Sequence, residues 1–271
     1  MHRSLANITK GEIEIIILPL LPVNKRGFKA KVDLAQVFLF IVYKLKSGCQ
    51  WRELFIQLEL VNFPFCWQLV YYYYRKWAKL GIFEESFNLM LYIKKDKLDT
   101  ENLNLDGTHS MAKKAAESSA YQGRKKAVTS NILALTDGNG IPLSFGNVIS
   151  GNHNDLYNVV NEFSSMMKRL KVCDIDIQNS LLNADGGFDS KPLRRAVQRR
   201  GMIANIKENP RNRKQKKVGR KREFYEDIYK KRYVNERCFA WMDSFRTLLI
   251  RFDKLDSSWR NWHFLAAFLI L

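Results

Sequence analysis

The sequence is poor in cysteine and histidine, and neither residue type is arranged as a metal or redox site. The four cysteines lie far apart, so the chain has no C-x-x-C pair of the kind found in zinc knuckles and thiol–disulfide enzymes. The four histidines form neither an H-x-x-x-H nor an H-E-x-x-H pattern, which argues against a zinc hydrolase. Reduced, buried thiols are the expected state of the cysteines.

Long hydrophobic runs are also missing. The longest mostly apolar stretches are 15–23, which contains two prolines, and 37–43. Both are much shorter than the roughly 18–20 residues that a membrane-spanning helix needs. The chain also does not open with the basic and then apolar pattern of a signal peptide. Neither a membrane location nor export is therefore predicted.

Acidic residues are far fewer than basic ones. The 271 residues include 45 Lys and Arg against 27 Asp and Glu, a formal net charge of +18 at pH 7. Such an excess indicates an anionic partner: a nucleic acid, an anionic membrane surface or an acidic substrate. Because nothing favours a membrane, nucleic acid is the leading explanation. Hydrophobic residues make up 46% of the chain, which is enough for a sizeable core and excludes wholesale disorder.

The first part of the chain has the periodicity of helices. Over 33–46, apolar residues recur at i, i+3 and i+4, which predicts an amphipathic helix. Similar patterns predict three further helices, at 51–60, 67–80 and 84–93. Gly81 is expected to end the helix 67–80. The aromatic run YYYYRKW of that helix is more typical of a buried helix than of a contact surface. We therefore predict a small all-α N-terminal domain over residues 1–98.

Beyond residue 100 the apolar period changes from 3.6 to 2, which predicts strands. The predicted strands cover 102–106, 128–136, 141–149, 180–184 and 202–206. The predicted helices cover 155–170, 191–200 and 226–252. A hairpin turn with the sequence DGNG at 137–140 joins the second and third strands. This order predicts an α/β fold, with a mixed sheet and flanking helices, over residues 99–271.

Two aspartates and one glutamate stand where such a fold can bring them together. Asp106 is placed at the end of the first predicted strand, and Asp185, followed by two glycines, at the end of the fourth. Glu236 lies in the last predicted helix. Because ligands collect at the strand ends of α/β sheets, these carboxylates are candidates for an oxygen-only site that suits Mg²⁺ or Mn²⁺. Asp155 and Asp189 compete for the same role.

Each acid also has an ordinary structural interpretation. Asp before Gly is common turn chemistry, and a glutamate on a helix is usually solvated. Asp155 also suits the start of a helix. The combination of three such acids on a strongly basic chain nevertheless favours a metal site that acts on phosphodiesters.

Several segments resemble the DDE transposases of short bacterial insertion sequences. They are KSGCQWREL (46–54), LDGTHSMAKKAAE (105–117), YQGRKKAVTSN (121–131), SGNHNDL (150–156), NADGGFDS (183–190) and ERCFAWMDSFRTLLIRF (236–252). Together they span most of residues 20–265. The resemblance implies a ribonuclease-H-like catalytic core after a small helical domain. It also implies that Asp106, Asp185 and Glu236 are the catalytic, metal-binding acids.

The family's helix signature, Y-x2-R-x3-E-x6-K, is matched by Tyr229, Arg232 and Glu236. Asp243 stands where the family has lysine, so the usual contact of that lysine to the DNA backbone is not expected here. The resemblance implies that Tyr229 and Arg232 contact DNA. Relatives also commonly continue beyond the position of Leu271.

The activity that this resemblance implies is transposition. A homodimer would bind the ends of its insertion sequence, cleave DNA with Mg²⁺ or Mn²⁺, and join the freed 3′-hydroxyls to double-stranded target DNA. The implied location is the bacterial cytoplasm, at the nucleoid when DNA is bound. Two alternatives stay open: a ribonuclease-H-like nuclease without strand transfer, and a catalytically idle DNA-binding repressor, against which the intact set of acids argues.

Two basic segments are predicted to contact the DNA backbone without reading sequence. Residues 207–222 contain nine Lys or Arg and one Glu, and lie between Asp185 and Glu236 in the chain. The candidate contacts in that segment are Lys214, Lys216 and Lys217. The candidates in the connection after Asp106 are Lys113, Lys114, Arg124, Lys125 and Lys126. The other interpretation of 207–222 is a solvated loop, because like charges repel each other.

Overall fold

The structure, a computed structural model, describes residues 8–22, 32–55, 66–113, 116–154, 156–210 and 222–271. The chain divides into two compact units. The first consists of Met1–Met90, Ala112–Glu117 and Met242–Leu271, and the second of Leu91–Met111 and Ser118–Trp241. The domain limits taken from the sequence, 1–98 and 99–271, stay a prediction.

The helices and strands of the described residues follow a helical and then a mixed order. The helices are α1 (Lys10–Ile16), α2 (Leu34–Ser47), α3 (Trp67–Leu80), α4 (Ile82–Lys94), α5 (Val159–Val172), α6 (Lys191–Gln198), α7 (Glu226–Lys230), α8 (Val234–Asp243), α9 (Arg246–Leu249) and α10 (Asp256–Ile270). The strands are β1 (Asn102–Ala112), β2 (Ala120–Gln122), β3 (Ala127–Thr136), β4 (Pro142–Ser150), β5 (Leu181–Ala184), β6 (Ile203–Ile206) and β7 (Ile250–Arg251). None of the helices in these ranges is both long and apolar enough to span a membrane.

The helix limits in the first unit follow from local capping. The carboxylate of Asp33 accepts the N–H of Ala35 at 3.0 Å, which starts α2, and Gly48 ends it with a φ of 67°. Gly81 ends α3 with a φ of 75°, as the sequence predicts. Of the predicted helix 51–60, a 3-10 turn at Trp51–Glu53 is described, and residues 56–60 lie outside the described part of the chain.

The core of the first unit is aromatic. Tyr74 stacks on Trp262 with the ring centroids 4.0 Å apart, and its hydroxyl donates to the carbonyl of Ser258 at 2.6 Å. Tyr74 is fully buried, whereas Tyr71 and Tyr72 of the same run are exposed. The run is therefore buried on one side only, because successive residues of a helix point about 100° apart.

The second unit is built on one mixed sheet. Strand β3 pairs antiparallel with β1 on one side, and with both β2 and β4 on the other. Strand β1 continues into a parallel pair with β5, and β5 into a parallel pair with β6. Helix α5 packs against β4, and α6 packs against both α5 and β6. This strand order, antiparallel and then parallel with β1 in the centre, is that of the ribonuclease-H-like fold and confirms the predicted class.

Two predicted element limits are wrong. The first strand does not end at Asp106 but continues to Ala112, because β3 pairs with it as far as Met111. The predicted single helix 226–252 is broken into α7, a 3-10 turn at Lys231–Tyr233, α8, α9 and β7. Its helical spacing of apolar residues continues across these breaks, yet Phe252 is exposed while Leu248 is buried. Tertiary packing outweighs local periodicity in this segment.

Candidate functional site

Asp106 lies in β1, and Asp185 directly follows β5, the parallel strand beside it. The register pairs Leu103 with Leu182 and Asn104 with Asn183. Asp106 and Asp185 each follow two residues later, and because side chains alternate along a strand they leave the sheet on the same side as that asparagine pair. The strand end of β5 and its tight turn therefore place Asp185 beside the middle of β1.

Each aspartate is oriented by a backbone N–H close to it in the chain. Gly107 donates to Oδ1 of Asp106 at 2.9 Å, and Gly187 donates to Oδ1 of Asp185 at 2.8 Å. The latter bond caps the short 3-10 turn at Gly186–Phe188. Among the described residues, no backbone N–H donates to the second oxygen, Oδ2, of either carboxylate.

Arg232 neutralises the aspartate in the centre of the sheet. Its Nη1 lies 2.7 Å from Oδ2 of Asp106. Burial raises the pKa of Asp106 above its ordinary value, which Arg232 and the N–H of Gly107 oppose and Asp185 reinforces. Burial alone would lower the pKa of Arg232, but Asp106, Tyr229 and Asp185 raise it overall. The site thus holds two carboxylates whose counter-charge is the guanidinium of Arg232.

Glu236 and Asp106 line one cleft of about 260 Å³. The other residues that line it are Tyr229, Lys230, Arg232 and Tyr233. All six belong to the second compact unit. The three matched residues of the helix signature, Tyr229, Arg232 and Glu236, therefore share a cleft with the first aspartate, although Arg232 pairs with Asp106 rather than with Glu236.

The helix that carries Glu236 is fixed by the residues on either side of it. The hydroxyl of Thr136, at the end of β3, donates to Oδ1 of buried Asn235 at 2.6 Å. Arg237 donates to the carbonyl of Asn139 in the hairpin turn between β3 and β4. Local sequence patterns do not identify Asn235 and Arg237 as supports of Glu236. The one sequence feature that points to them is that each is a polar residue next to the glutamate. The DGNG turn thereby acts as the support of α8.

This support is expected to be sensitive to the size of residue 140. Gly140 has a φ of 81°, and an added Cβ would lie 2.6 Å from the carbonyl oxygen of Val234, the first residue of α8. We expect Gly140→Ala to lower the free energy of unfolding by about 2 kcal/mol or more, measured by urea unfolding. Gly123→Ala is the matched control because nothing lies within 4 Å of its added Cβ. An equal effect of the two variants would contradict the proposed support.

The predicted DNA-contacting cations outside the cleft are only partly described. Lys114, Lys214, Lys216 and Lys217 lie outside the described residues. Lys113 is exposed just after β1. Arg124, Lys125 and Lys126 form an exposed turn between β2 and β3. Burial lowers the pKa of His109, and the charges of Lys125 and Arg124 lower it further. The position of His109 in β1 places its side chain on the opposite side of the sheet from Asp106.

The competing acid Asp189 has a structural role in the described residues. Its Oδ1 accepts Nε of Arg194 at 2.8 Å, and its Oδ2 accepts the N–H of Asn209 at 2.9 Å. Arg194 also donates to the carbonyls of Ala204 and Ile206, at the end of β6. Asp189 therefore ties the turn after Asp185 to the end of β6. The other competing acid, Asp155, lies outside the described residues.

The donor set fits a hard divalent cation in its chemistry. Asp106, Asp185 and Glu236 offer only carboxylate oxygens, which Mg²⁺ and Mn²⁺ prefer. The cation that Asp106 already attracts, the guanidinium of Arg232, shows that the position is electrostatically suited to positive charge. Within the described ranges no three His, Cys, Asp or Glu side chains are close enough together to hold a metal. Of the three acids, Asp106 and Asp185 are the two that the parallel pairing of β1 and β5 places near each other.

The fold and this cleft define a ribonuclease-H-like α/β protein with an acidic site on the central strand of its sheet. The chain belongs to the family described as "Transposase DDE domain", whose model matches residues 98–271. A second model, described as "Putative transposase of IS4/5 family", matches residues 15–87. Both matches confirm the resemblance seen in the sequence, and the activity is that of a transposase.

Solved structures similar to this chain include complexes of the Mos1 transposase. The Mos1 paired-end complex with the left transposon end has 11% identity and a TM-score of 0.30, covering 90% of this chain and 80% of that chain. The Mos1 strand transfer complex has 12% identity and a TM-score of 0.31, covering 90% and 78%. No curated protein matches the chain.

Proposed function

We propose that this transposase binds the ends of its own insertion sequence, cleaves phosphodiesters there with a divalent metal, and joins the freed 3′-hydroxyls to target DNA. DDE transposases use divalent metals, and Mg²⁺, with Mn²⁺ as a substitute, is the proposed ion here. The observation that carries the proposal is the placement of Asp106 and Asp185, each two residues beyond the paired Asn104 and Asn183, with Glu236 lining the same cleft as Asp106.

The three acids have distinct supports and one proposed task. Asp106 and Asp185, each oriented by a glycine N–H, would hold the ion, and Glu236 would complete its ligands from α8. When bound, such an ion activates a water or a 3′-hydroxyl and stabilises the leaving oxygen. Lys230 and Arg232 supply positive charge on the cleft wall, where a scissile phosphate would be held. Tyr229 and Tyr233 add hydrogen-bonding and stacking surfaces beside it.

The remaining charges would hold the DNA outside the cleft. Lys113, Lys114 and the turn with Arg124, Lys125 and Lys126 are proposed backbone contacts, together with residues 207–222. The helical domain 1–98 is proposed to bind the element ends, with two copies of the chain acting as a homodimer on double-stranded DNA. The proposed place of action is the bacterial nucleoid.

The test is a strand-transfer assay on the DNA that flanks the gene. Inverted repeats outside the gene, bracketed by short direct repeats, would supply the end substrate. We expect the purified full chain, with Mg²⁺, to cut labelled duplexes that carry these repeats and to join them to a target plasmid. Cleavage without joined products would instead indicate a nuclease, and specific binding without cleavage a repressor. A duplex with a scrambled repeat is the control.

The proposed contact of 207–222 with the DNA backbone predicts a change in salt dependence. Replacing Lys214, Lys216 and Lys217 by Gln should weaken binding to all duplexes equally. It should also flatten the slope of log affinity against log salt by about 3, or one per lost phosphate contact. Fluorescence anisotropy at several salt concentrations measures this slope. The matched control replaces three cations of α5 and the end of α6, Lys168, Lys171 and Arg199; an equal change in that control would contradict a local contact.

A further inference from the structure

Arg232 holds the carboxylate that the proposed function assigns to a metal ion. Its Nη1 is 2.7 Å from Oδ2 of Asp106, and the two side chains are only 22% and 25% exposed. The guanidinium also lies 5.7 Å from the ring centroid of Tyr229. Its charge acts on Asp185 as well as on Asp106. A cation of the protein itself thus pairs with Asp106 and partly offsets the charge of Asp185.

Arg232 and a metal ion held at Oδ2 of Asp106 would compete for the same oxygen. The other oxygen of Asp106, Oδ1, already accepts the N–H of Gly107 at 2.9 Å. A Mg²⁺ ion binds carboxylate oxygens at about 2.0–2.1 Å and repels a guanidinium that contacts the same atom. Binding of the ion to Oδ2 therefore requires Arg232 to move away from Asp106.

Arg232 is placed where such a movement is feasible. It lies in the 3-10 turn Lys231–Tyr233 between α7 and α8, outside any regular α-helix. Helix α8 is held separately, through Asn235 and Thr136. A DNA phosphate entering the cleft offers Arg232 an alternative anion that suits its two-pronged geometry. If Arg232 changes its partner from Asp106 to a DNA phosphate, its guanidinium is paired with an anion both before and after the change.

We infer that Arg232 couples metal binding to DNA binding. In the free protein, Arg232 pairs with Asp106 and keeps the ion from binding this carboxylate. A DNA phosphate draws Arg232 away and frees the carboxylate for the ion. This inference rests on the proposed function, because it takes Asp106 and Asp185 as metal ligands. The coupling is reciprocal, so the metal must also strengthen the binding of DNA by the same factor. Its consequence is a site that is loaded with metal only when DNA is present.

The test measures Mn²⁺ binding to the full chain, using the electron paramagnetic resonance signal of the unbound ion as the readout. Without DNA, Arg232→Gln should bind Mn²⁺ about tenfold more tightly than the wild type. Adding a short duplex should tighten Mn²⁺ binding by the wild type about tenfold and leave that of Arg232→Gln nearly unchanged. Equal Mn²⁺ affinities of the two proteins without DNA would overturn the inference.

Two further variants separate the contact from the charge. Lys230→Gln removes the same charge from the same cleft, but Lys230 pairs with Glu226 and Asp227 rather than with Asp106. Lys230→Gln should therefore change the Mn²⁺ affinity much less than Arg232→Gln does. If both variants gain the same affinity, the effect comes from the lost charge and not from the contact with Asp106, and the inference is overturned. Arg232→Lys keeps the charge without the planar fork. It should give an intermediate affinity, and it replaces Arg232→Gln if circular dichroism shows the latter unfolded.

Asp106→Asn distinguishes a failure of this inference from a failure of the proposed function. If Asp106→Asn binds Mn²⁺ as the wild type does, the proposed metal site itself is wrong. If Asp106→Asn loses Mn²⁺ binding while Arg232→Gln behaves as the wild type, the site stands and only the coupling is wrong. Weak Mn²⁺ binding by the wild type, tight binding by Arg232→Gln and none by Asp106→Asn is the expected combination.

Discussion

Asp106→Asn and Asp185→Asn should each reduce Mg²⁺-dependent DNA cleavage by at least about a thousandfold, because a bound metal supplies several kcal/mol of transition-state stabilisation. Asparagine keeps the size of the side chain, and its oxygen can still accept the N–H of Gly107 or Gly187. The negative charge that attracts the ion is lost. Measured without a divalent metal, DNA binding should be retained, since phosphate contacts of Lys and Arg supply most of the affinity. Cleavage of an end-bearing duplex and fluorescence anisotropy measure the two effects.

Asp176→Asn is the matched control for this pair. Asp176 is exposed and, like Asp185, accepts the N–H of the residue two positions later, Gln178, at 2.9 Å. It does not line the acidic cleft. Its replacement should leave both cleavage and binding unchanged. If either Asp106→Asn or Asp185→Asn cuts DNA at the wild-type rate, that residue is not a ligand; Glu236→Gln is judged by the same criterion.

Asp185, which directly follows β5, could be placed from the sequence because its signal is local. An apolar strand that runs into Asp-Gly-Gly has to end there, since the two glycines favour a tight turn. The end of β1 could not be placed from the sequence, because the strand continues past Asp106 through polar residues. Thr108 and Ser110 look like loop residues by themselves, yet they pair with Ile132 and Ser130 of β3. A partner strand some twenty residues away thus decides where β1 ends.

The contacts that shape the cleft could not be derived from local patterns. Arg232 finds its carboxylate 126 residues away in the chain, and Asn235 finds Thr136 99 residues away. Helical periodicity at 226–252 gives no sign of the 3-10 turn that contains Arg232. The family signature groups Tyr229, Arg232 and Glu236, but it does not say which acid the arginine holds. These pairings join residues far apart in the chain, so local patterns do not predict them.

Asp189→Ala should lower the free energy of unfolding by about 3–5 kcal/mol, because it leaves a buried guanidinium without its carboxylate. The side chains of Arg194 and Asp189 are 9% and 11% exposed. The substitution also removes the acceptor of the N–H of Asn209. Urea unfolding of the full chain at pH 7 measures the loss. Glu226→Ala is the control, because the ion pair of Glu226 with Lys230 is solvent-exposed and such pairs contribute little.

The carboxylate of Asp189 also makes the free energy of unfolding fall as the pH is lowered. Burial alone would raise the pKa of Asp189, but the N–H of Asn209 and the guanidiniums of Arg194 and Arg222 bring it below its ordinary value. Its stabilising contribution is therefore complete above the ordinary aspartate pKa of about 3.9. It is lost as the pH falls through the lower pKa of the folded protein. The difference in unfolding free energy between the wild type and Asp189→Asn should then shrink from about pH 5 to about pH 2. A difference that stays constant over this range would mean that the charge of Asp189 does not hold the end of β6.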